Sequence, residues 1–213
     1  MQGVETQAQD KAGNLRTPKL TVGEAFYLRI LPTWVYGVWS EARQQMTALF
    51  WNETVAKSGA NEIISAEHWH HMNAGTGATT LELWFDACPG QISNWDGVMY
   101  HMHITDQDSP LWMYERIDEK LLQQGHSYSV CDRNFAYPQH AAKRKKSVET
   151  MEDWVQLYRE ANKQHPYLIH KLQQSEIMDW HSYLKQHYVR TRLDSNGIKP
   201  LLEGSHWRNY GWG

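Results

Sequence analysis

The sequence predicts an α/β or α+β protein with a mixed sheet, and three observations lead to this class. Segments with the two-residue period of strands alternate along the chain with segments that have the helical period. Two capping boxes, Ser93-x-x-Asp96 and Ser129-x-x-Asp132, open helices shortly after strand-like segments. The chain contains no internal repeat, and its element order does not fit a bundle or an all-β barrel.

Length and composition restrict the class further. The 213 residues suit one domain of ordinary size, and a net charge of −3 excludes a bulk polycation. No apolar run approaches the roughly 20 residues of a membrane span, and residues 1–17 lack the apolar core of a secretory signal. The only cysteines, Cys88 and Cys131, favour a reducing compartment, so we expect a nuclear or cytoplasmic protein without a membrane partner.

The N-terminal third begins with a segment that shows no period. Residues 1–22 are therefore interpreted as a flexible arm before a domain at 23–190. Residues 25–39 are aromatic and β-branched but contain Pro32, which indicates an extended piece or a short strand pair. Residues 46–51 predict a strand.

The middle of the chain alternates clearly between the two periods. Residues 61–72 predict a helix that ends at the Gly-Thr-Gly of 75–77, and residues 79–86 (TTLELWFD) predict a strand that ends at Asp86. The helix that Ser93 opens should bury Trp95, Val98, Met99 and Met102.

The second half predicts one strand and three helices. Residues 111–122 favour a strand, and the box at Ser129 opens a helix that Pro138 bends or ends. Helices follow at 152–164 and 175–188, and residues 191–213 form an aromatic tail.

Carboxylates at strand and helix ends are the first candidate for chemistry. Asp86 and Asp132, with Glu53, could converge on Mg²⁺ or Mn²⁺, which prefer hard oxygen ligands. Two-metal phosphoryl transfer needs such a group of acids. Capping-box aspartates are also common in proteins without any metal site.

Three other constellations remain open. A zinc site could use His68, His70 and His71, which lie in one helix turn, with His101 and His103, which lie at a helix end near Cys88. The spacing matches no known ligand motif, so zinc is the weaker hypothesis. Cys131 with His126, or Cys88 alone, could act as a nucleophile, although no protease signature surrounds either. The basic run Lys143, Arg144, Lys145 and Lys146 could contact phosphates while aromatic rings stack on bases.

Four segments in this order resemble a widespread eukaryotic family of transposon-associated domains. They are WNETVAKSGANEIISA (51–66), LELWFDACPGQISN (81–94), LLQQGHSYSVCDRNFA (121–136) and the basic stretch that follows. The family pattern has an aromatic-Asp-Glu near Gly-Ala-Asn-Glu-Ile, then Asp-x-Cys-x-Gly-Gln-x-x-Asn, then Gly-His-Thr/Ser before Asp-x-x-Phe. The likeness covers about residues 25–170 and implies a ribonuclease H-like fold, as used by transposases, integrases and nucleases, with a mixed sheet flanked by helices.

The resemblance implies roles for individual residues. Asp86 would be the acid of the central strand, Asp132 a later acid, and Glu53 would lie near them. Gln91, Asn94 and His126 would contact a phosphate or a ligand carboxylate, and the partner would be DNA or RNA.

The chain also departs from the family pattern. Asn52 stands where the family usually has Asp, and Gln139 stands where it often has Glu. No acid is found on the expected first strand, where Tyr36-Gly37-Val38 stand. The resemblance therefore predicts a metal-dependent domain for phosphodiester cleavage or strand transfer, in an active or a degenerate form. The alternative is a catalytically inactive domain that binds nucleic acid, or a protein partner through the Trp-rich tail.

Overall fold

A computed structural model of the chain describes residues 3–20, 30–86, 95–122 and 129–188. Its strands are β1 (Val4–Lys11), β2 (Leu15–Thr17), β3 (Lys19–Leu20), β4 (Leu31–Ser40), β5 (Gln45–Asn52), β6 (Thr80–Asp86), β7 (Arg116–Leu122), β8 (Ser147–Val148) and β9 (Leu168–Lys171). Its α-helices are α1 (Ala60–Ala74), α2 (Trp95–Thr105), α3 (Val130–Arg144), α4 (Met151–Ala161) and α5 (Trp180–Leu184). The described residues thus form a mixed α/β structure with a mixed sheet of seven strands.

The main sheet has the order β7-β6-β1-β4-β5-β9, and β2 also pairs with β4. Strands β1, β6 and β7 run parallel to one another, whereas β4 is antiparallel to both β1 and β5. The short strands β3 and β8 form a separate pair. β1 consequently lies in the interior of the sheet, between a parallel and an antiparallel neighbour.

Helices cover both faces of the sheet, and each face has its own apolar core. The face under α1, α2 and α5 buries, among others, Tyr36, Leu49, Trp51, Ile63, Leu81, Leu83, Phe85, Tyr100 and Trp180. The face under α3 and α4 buries, among others, Val35, Ala48, Phe50, Cys131, Phe135, Trp154 and Tyr158. None of the helices within the described ranges is long and apolar enough to cross a membrane.

The interpretation of residues 1–22 as a flexible arm is wrong, because this segment supplies the interior strand β1. Glu5, Gln7 and Gln9 are almost completely buried there. Their polar groups are hydrogen-bonded inside the core: Gln9 Nε2 donates to Gln7 Oε1 at 3.1 Å, and the Tyr36 hydroxyl donates to Gln9 Oε1 at 2.5 Å. A buried polar stripe lacks the apolar alternation by which strands are recognised.

Several other boundaries differ from the prediction. Pro32 lies inside the continuous strand β4, at an end where β4 pairs with the short β2 and not yet with β5. Residues 175–188 do not form one helix, because Asp179 caps a new short helix at Trp180 by accepting a hydrogen bond from the Ser182 amide. In α2 the buried face includes His101 and His103, whereas Trp95 is exposed.

The strands at 46–51 and 79–86 and the helix at 61–72 are confirmed. Pro138 lies inside α3, where it cannot donate to the carbonyl of Asn134; the hydroxyl of Tyr167 donates to that oxygen instead, at 3.0 Å. The capping box at Ser93 and the tail at 191–213 lie outside the described residues.

Candidate active site

Two aspartates lie side by side at the carboxyl ends of parallel strands. The register of β1 and β6 pairs Gln9 with Phe85, and Asp10 and Asp86 each follow that pair by one residue. Neighbouring strands are about 4.8 Å apart, so the two backbone positions are adjacent. This placement of Asp86 rests on backbone register. Ligands of α/β sheets bind beyond the carboxyl ends of strands.

The regular pairing of the main chain with β4 is interrupted shortly after Asp10. β1 ends at Lys11, which still pairs with Tyr36, and after residues 12–14 the chain resumes as β2 along the same neighbour, β4. The half-buried Asp10 carboxylate accepts a hydrogen bond from the Lys11 amide at 2.7 Å. Asp10 therefore lies near the end of β1, just before an irregular segment of the strand.

Asp132 reaches the same region from the first turn of α3. The predicted capping box is confirmed: Ser129 Oγ accepts from the Asp132 amide at 3.2 Å, and Asp132 Oδ2 accepts from the Ser129 amide at 2.8 Å. The reciprocal bonds fix the Asp132 side chain at the helix start.

Cys131 and Gly37 fix the start of α3 against the sheet beside Asp10. The Cys131 thiol donates to the carbonyl of Ala8, with 3.2 Å between sulfur and oxygen, and it also lies 3.8 Å from the carbonyl oxygen of Gly37. Gly37 is the β4 residue paired with Asp10. A Cβ atom on Gly37 would lie 2.7 Å from the ring of Phe135, so only glycine lets the helix approach this closely.

Asp10 and Asp132 both lie close enough to the Cys131 thiol to influence its pKa. Burial raises this pKa most, and the negative charges of Asp10 and Asp132 raise it further. The thiol is completely buried and protonated at neutral pH. The hypothesis of a Cys131 nucleophile is therefore wrong, since the thiolate is the reactive form.

Glu53 is not brought to this position. It follows the end of β5, and the register runs from Asp10 to Gly37 on β4 and to Ala48 on β5. Glu53 is therefore two strand spacings across the sheet and five residues along the strand from Asp10, a distance of roughly 20 Å.

The predicted nucleic-acid contacts are only partly described. Gln91, Asn94 and His126, like Cys88, lie outside the described residues. Lys143, Arg144, Lys145 and Lys146 are all exposed at the C-terminal end of α3. At 1.5 Å per residue, Arg144 lies about 18 Å along the helix from Asp132.

The clustered histidines lie in the core on the opposite face of the sheet. His101 lies between two carboxylates, with Nε2 at 3.0 Å from Glu67 Oε1 and Nδ1 at 2.6 Å from Glu119 Oε1. Glu67 Oε1 is also 3.3 Å from His71 Nε2. Among the side chains that the structure describes, no group of three or more His, Cys, Asp or Glu residues is arranged to hold a metal ion; the side chain of Asp86 lies outside that set.

Burial and ion pairing shift the pKa values of these groups in opposite directions. Burial alone would lower the pKa of His101, but Glu67 and Glu119 outweigh it and raise the pKa to about 10. Burial would raise the pKa of Glu67, yet His101 and His71 hold it far below its usual range. Burial lowers the pKa of His70 to about 3, with a smaller contribution from His71. The buried His101 is thus a cation with two carboxylate partners, and His70 is neutral.

The sequence interpretation missed Asp10. A signal was present: Glu5, Gln7 and Gln9 alternate with Thr6 and Ala8, and the alternation ends at an aspartate followed by Lys-Ala-Gly, much as TTLELWFD ends before Ala-Cys-Pro-Gly. The sequence interpretation expects the first-strand acid at Tyr36-Gly37-Val38. These residues belong to β4, which is the antiparallel neighbour of β1.

No family model matches this sequence, and comparison with curated proteins and with solved structures finds no significant match.

Proposed function

We propose that this chain is a ribonuclease H-like domain that acts on nucleic acid, with a divalent-metal site formed by Asp10, Asp86 and Asp132. The observation that carries the proposal is the position of these acids in the fold. Asp10 and Asp86 end adjacent parallel strands, and Asp132 opens the helix that packs beside Asp10. The three positions lie on three separate elements, as a site assembled by folding requires.

The strand arrangement supports the same assignment. β1, β4 and β5 form an antiparallel meander, and β6 and β7 extend it in parallel on the β1 side through helical connections. Helices cover both faces. The ribonuclease H-like fold that the resemblance implies would account for this order, and β9 adds a further strand at the β5 edge.

The donor set fits a hard divalent cation. Three carboxylates supply only oxygen ligands, which Mg²⁺ and Mn²⁺ prefer over the nitrogen and sulfur ligands of zinc sites. Such ions, when bound, activate a water or a 3′-hydroxyl and stabilise the charge that develops on a phosphodiester. The capping box at Ser129 holds the Asp132 side chain, and the close approach at Gly37 places the start of α3 against the sheet beside Asp10.

The positions of Asn52 and Gln139 bear on the inactive alternative. Asn52 Oδ1 accepts hydrogen bonds from the backbone amide of Thr54 at 3.1 Å and from the Thr54 hydroxyl at 2.6 Å, so the Asn52 side chain closes the turn after β5. Asn52 also lies on a strand two places from β1, far from Asp10. Its lack of charge therefore takes no ligand away from the strand-end site. Gln139 lies two turns beyond Asp132 in α3.

A cleavage assay tests the proposal. Labelled single- and double-stranded DNA and RNA are incubated with Mg²⁺ or Mn²⁺ and the wild-type protein, or with Asp10→Asn, Asp86→Asn or Asp132→Asn. Each substitution removes a charge that would face the cation, so we expect each to reduce cleavage by at least about 100-fold, beyond the range typical of losing an outer partner of a ligand.

Glu53→Gln is the matched control. It removes one carboxylate charge at a residue that the sequence alone suggested but that the register places far from Asp10, so it should cut as the wild type does. Cleavage that survives Asp10→Asn, or that Glu53→Gln abolishes, would contradict the proposed site. A folded wild type that cuts none of the four substrates would favour the inactive binding domain.

A further inference from the structure

One face of α3 carries a stripe of exposed basic and aromatic residues. Arg133, Tyr137, His140 and Arg144 follow one another at spacings of four, three and four residues, which place them on the same side of a helix. All four are exposed, and Tyr137 is 51% exposed. The stripe starts one residue after Asp132 and ends in the last turn of the helix.

A groove lies beside this stripe, between α3 and α4. It has a volume of about 380 Å³ and is lined by Tyr137, His140 and Arg144 of α3 and by Leu157 and Glu160 of α4. Leu157 is almost completely buried, so the groove has an apolar floor and a polar rim. We call this feature the α3–α4 groove.

The charge around the α3–α4 groove favours an anion. Arg144 belongs to the exposed run that continues through Lys143, Lys145 and Lys146. Glu160 is the acid on the α4 side, and its Oε1 already accepts a hydrogen bond from Gln156 Nε2 at 2.6 Å. Cations beside an exposed tyrosine ring are suited to a single strand of nucleic acid. The cations can contact its phosphates, and the ring can stack on a base, since every base has a flat face.

We infer that the α3–α4 groove binds one strand of nucleic acid, with a base stacked on Tyr137 and phosphates on Arg133 and Arg144. This inference rests on the proposed function and adds the path of the substrate. Tyr137 lies about 8 Å and Arg144 about 18 Å along the helix from Asp132. A strand that follows the stripe therefore runs a few nucleotides from the groove to the acids.

Binding in EDTA tests the path without any cleavage. Fluorescence anisotropy of a short labelled oligothymidylate is measured with the full chain at several salt concentrations. Tyr137→Ala should weaken binding roughly 5- to 150-fold, the range of one lost base stack, while Tyr137→Phe keeps the ring and should bind as the wild type does.

Arg144→Gln should behave differently from Tyr137→Ala. Losing one phosphate contact lowers the slope of log affinity against log salt by about 0.7, whereas losing a stacked base leaves that slope unchanged. Lys57→Gln removes the same charge from an exposed turn before α1 and should change neither affinity nor slope.

Each remaining result overturns the inference. Equal binding by the wild type, Tyr137→Ala and Arg144→Gln would exclude the groove, and cleavage that depends on Asp10 would then leave the proposed function standing. Heparin that binds as tightly as the oligonucleotide, with no effect of Tyr137→Ala, would show a surface that recognises only negative charge. A wild type that binds no oligothymidylate would exclude the groove as the path of a single strand, and the cleavage assay would decide the proposed function separately.

Discussion

Charged residues are arranged differently on the two faces of the sheet around β1. Towards α1 and α2, β1 buries Glu5, Gln7 and Gln9 beneath a network in which His101 lies between two carboxylates. Towards α3, Asp10 and Asp132 both act on the buried thiol of Cys131, and each raises its pKa. The first arrangement pairs opposite charges inside the core, and the second places two carboxylates near a neutral thiol at the start of α3.

This difference separates a structural network from a candidate site. The ion pairs of Glu67 with His101 and His71 hold one packing arrangement of the core, although the buried Glu67 Oε2 has no hydrogen-bond partner among the described residues. Like charges brought together reduce stability, and a cation that binds between them restores it. The clustered histidines, which attract attention in the sequence, belong to the first kind, and the inconspicuous Asp10 belongs to the second.

The largest expected effect comes from breaking the paired face. Glu67→Gln removes a buried carboxylate that faces His101 and His71. It leaves a buried cation with one partner fewer, so we expect a loss of about 3–5 kcal/mol in the free energy of unfolding. Urea unfolding measures it, with the exposed Glu160→Gln as control. A loss below about 1 kcal/mol would show that the network contributes little.

The pH dependence of stability should have opposite signs on its two limbs. His101 has its folded pKa raised to about 10, so its contribution is complete below the unfolded value near 6.5 and is lost as the pH rises. The loss should reach about 1.4 kcal/mol per pH unit. His70 has its folded pKa lowered to about 3, so stability also falls as the pH drops below about 6.5.

Unfolding by urea at several pH values checks both limbs. We expect maximal stability near pH 6.5, and His70→Gln should make the acid limb shallower without changing the alkaline one; part of the acid limb should remain, because burial also lowers the pKa of His68 to about 4. Stability that rises between pH 6.5 and 9 would contradict the assignment of His101 as a buried cation.

A smaller effect is expected where α3 meets β4. Gly37→Ala would place a methyl group against Met46 and Phe135, and relieving this overlap should cost about 1–3 kcal/mol. Gly13→Ala is the control, because a Cβ there meets nothing within 4 Å. Thermal unfolding compares the two; equal melting temperatures would show that α3 does not depend on the close approach at Gly37.

The smallest effect should have the opposite sign to that of Glu67→Gln. Asp10→Asn removes one of the like charges near Cys131, so metal-free protein should gain about 0.5–1 kcal/mol in the free energy of unfolding. Thermal unfolding in EDTA measures the gain. A loss as large as that of Glu67→Gln would show that Asp10 belongs to a structural network, like the carboxylates on the other face.

Sequence reasoning succeeded where local chemistry determines local structure. The alternation of Leu81, Leu83 and Phe85 placed Asp86 at a strand end, and the box at Ser129 placed Asp132 in a first helical turn. It failed at β1, whose inward residues are polar and acquire most of their partners from distant elements such as His70 on α1. Burial of individual histidines also depends on tertiary packing, which no local sequence pattern indicates.

The most direct test of the central claim is a calorimetric titration with Mn²⁺, which needs no knowledge of the substrate. The wild type and Glu53→Gln should bind Mn²⁺ saturably, and Asp10→Asn should lose that binding while remaining folded. Undiminished binding by Asp10→Asn, or a folded wild type that binds no Mn²⁺ at millimolar concentration, would contradict a metal site at the ends of β1 and β6.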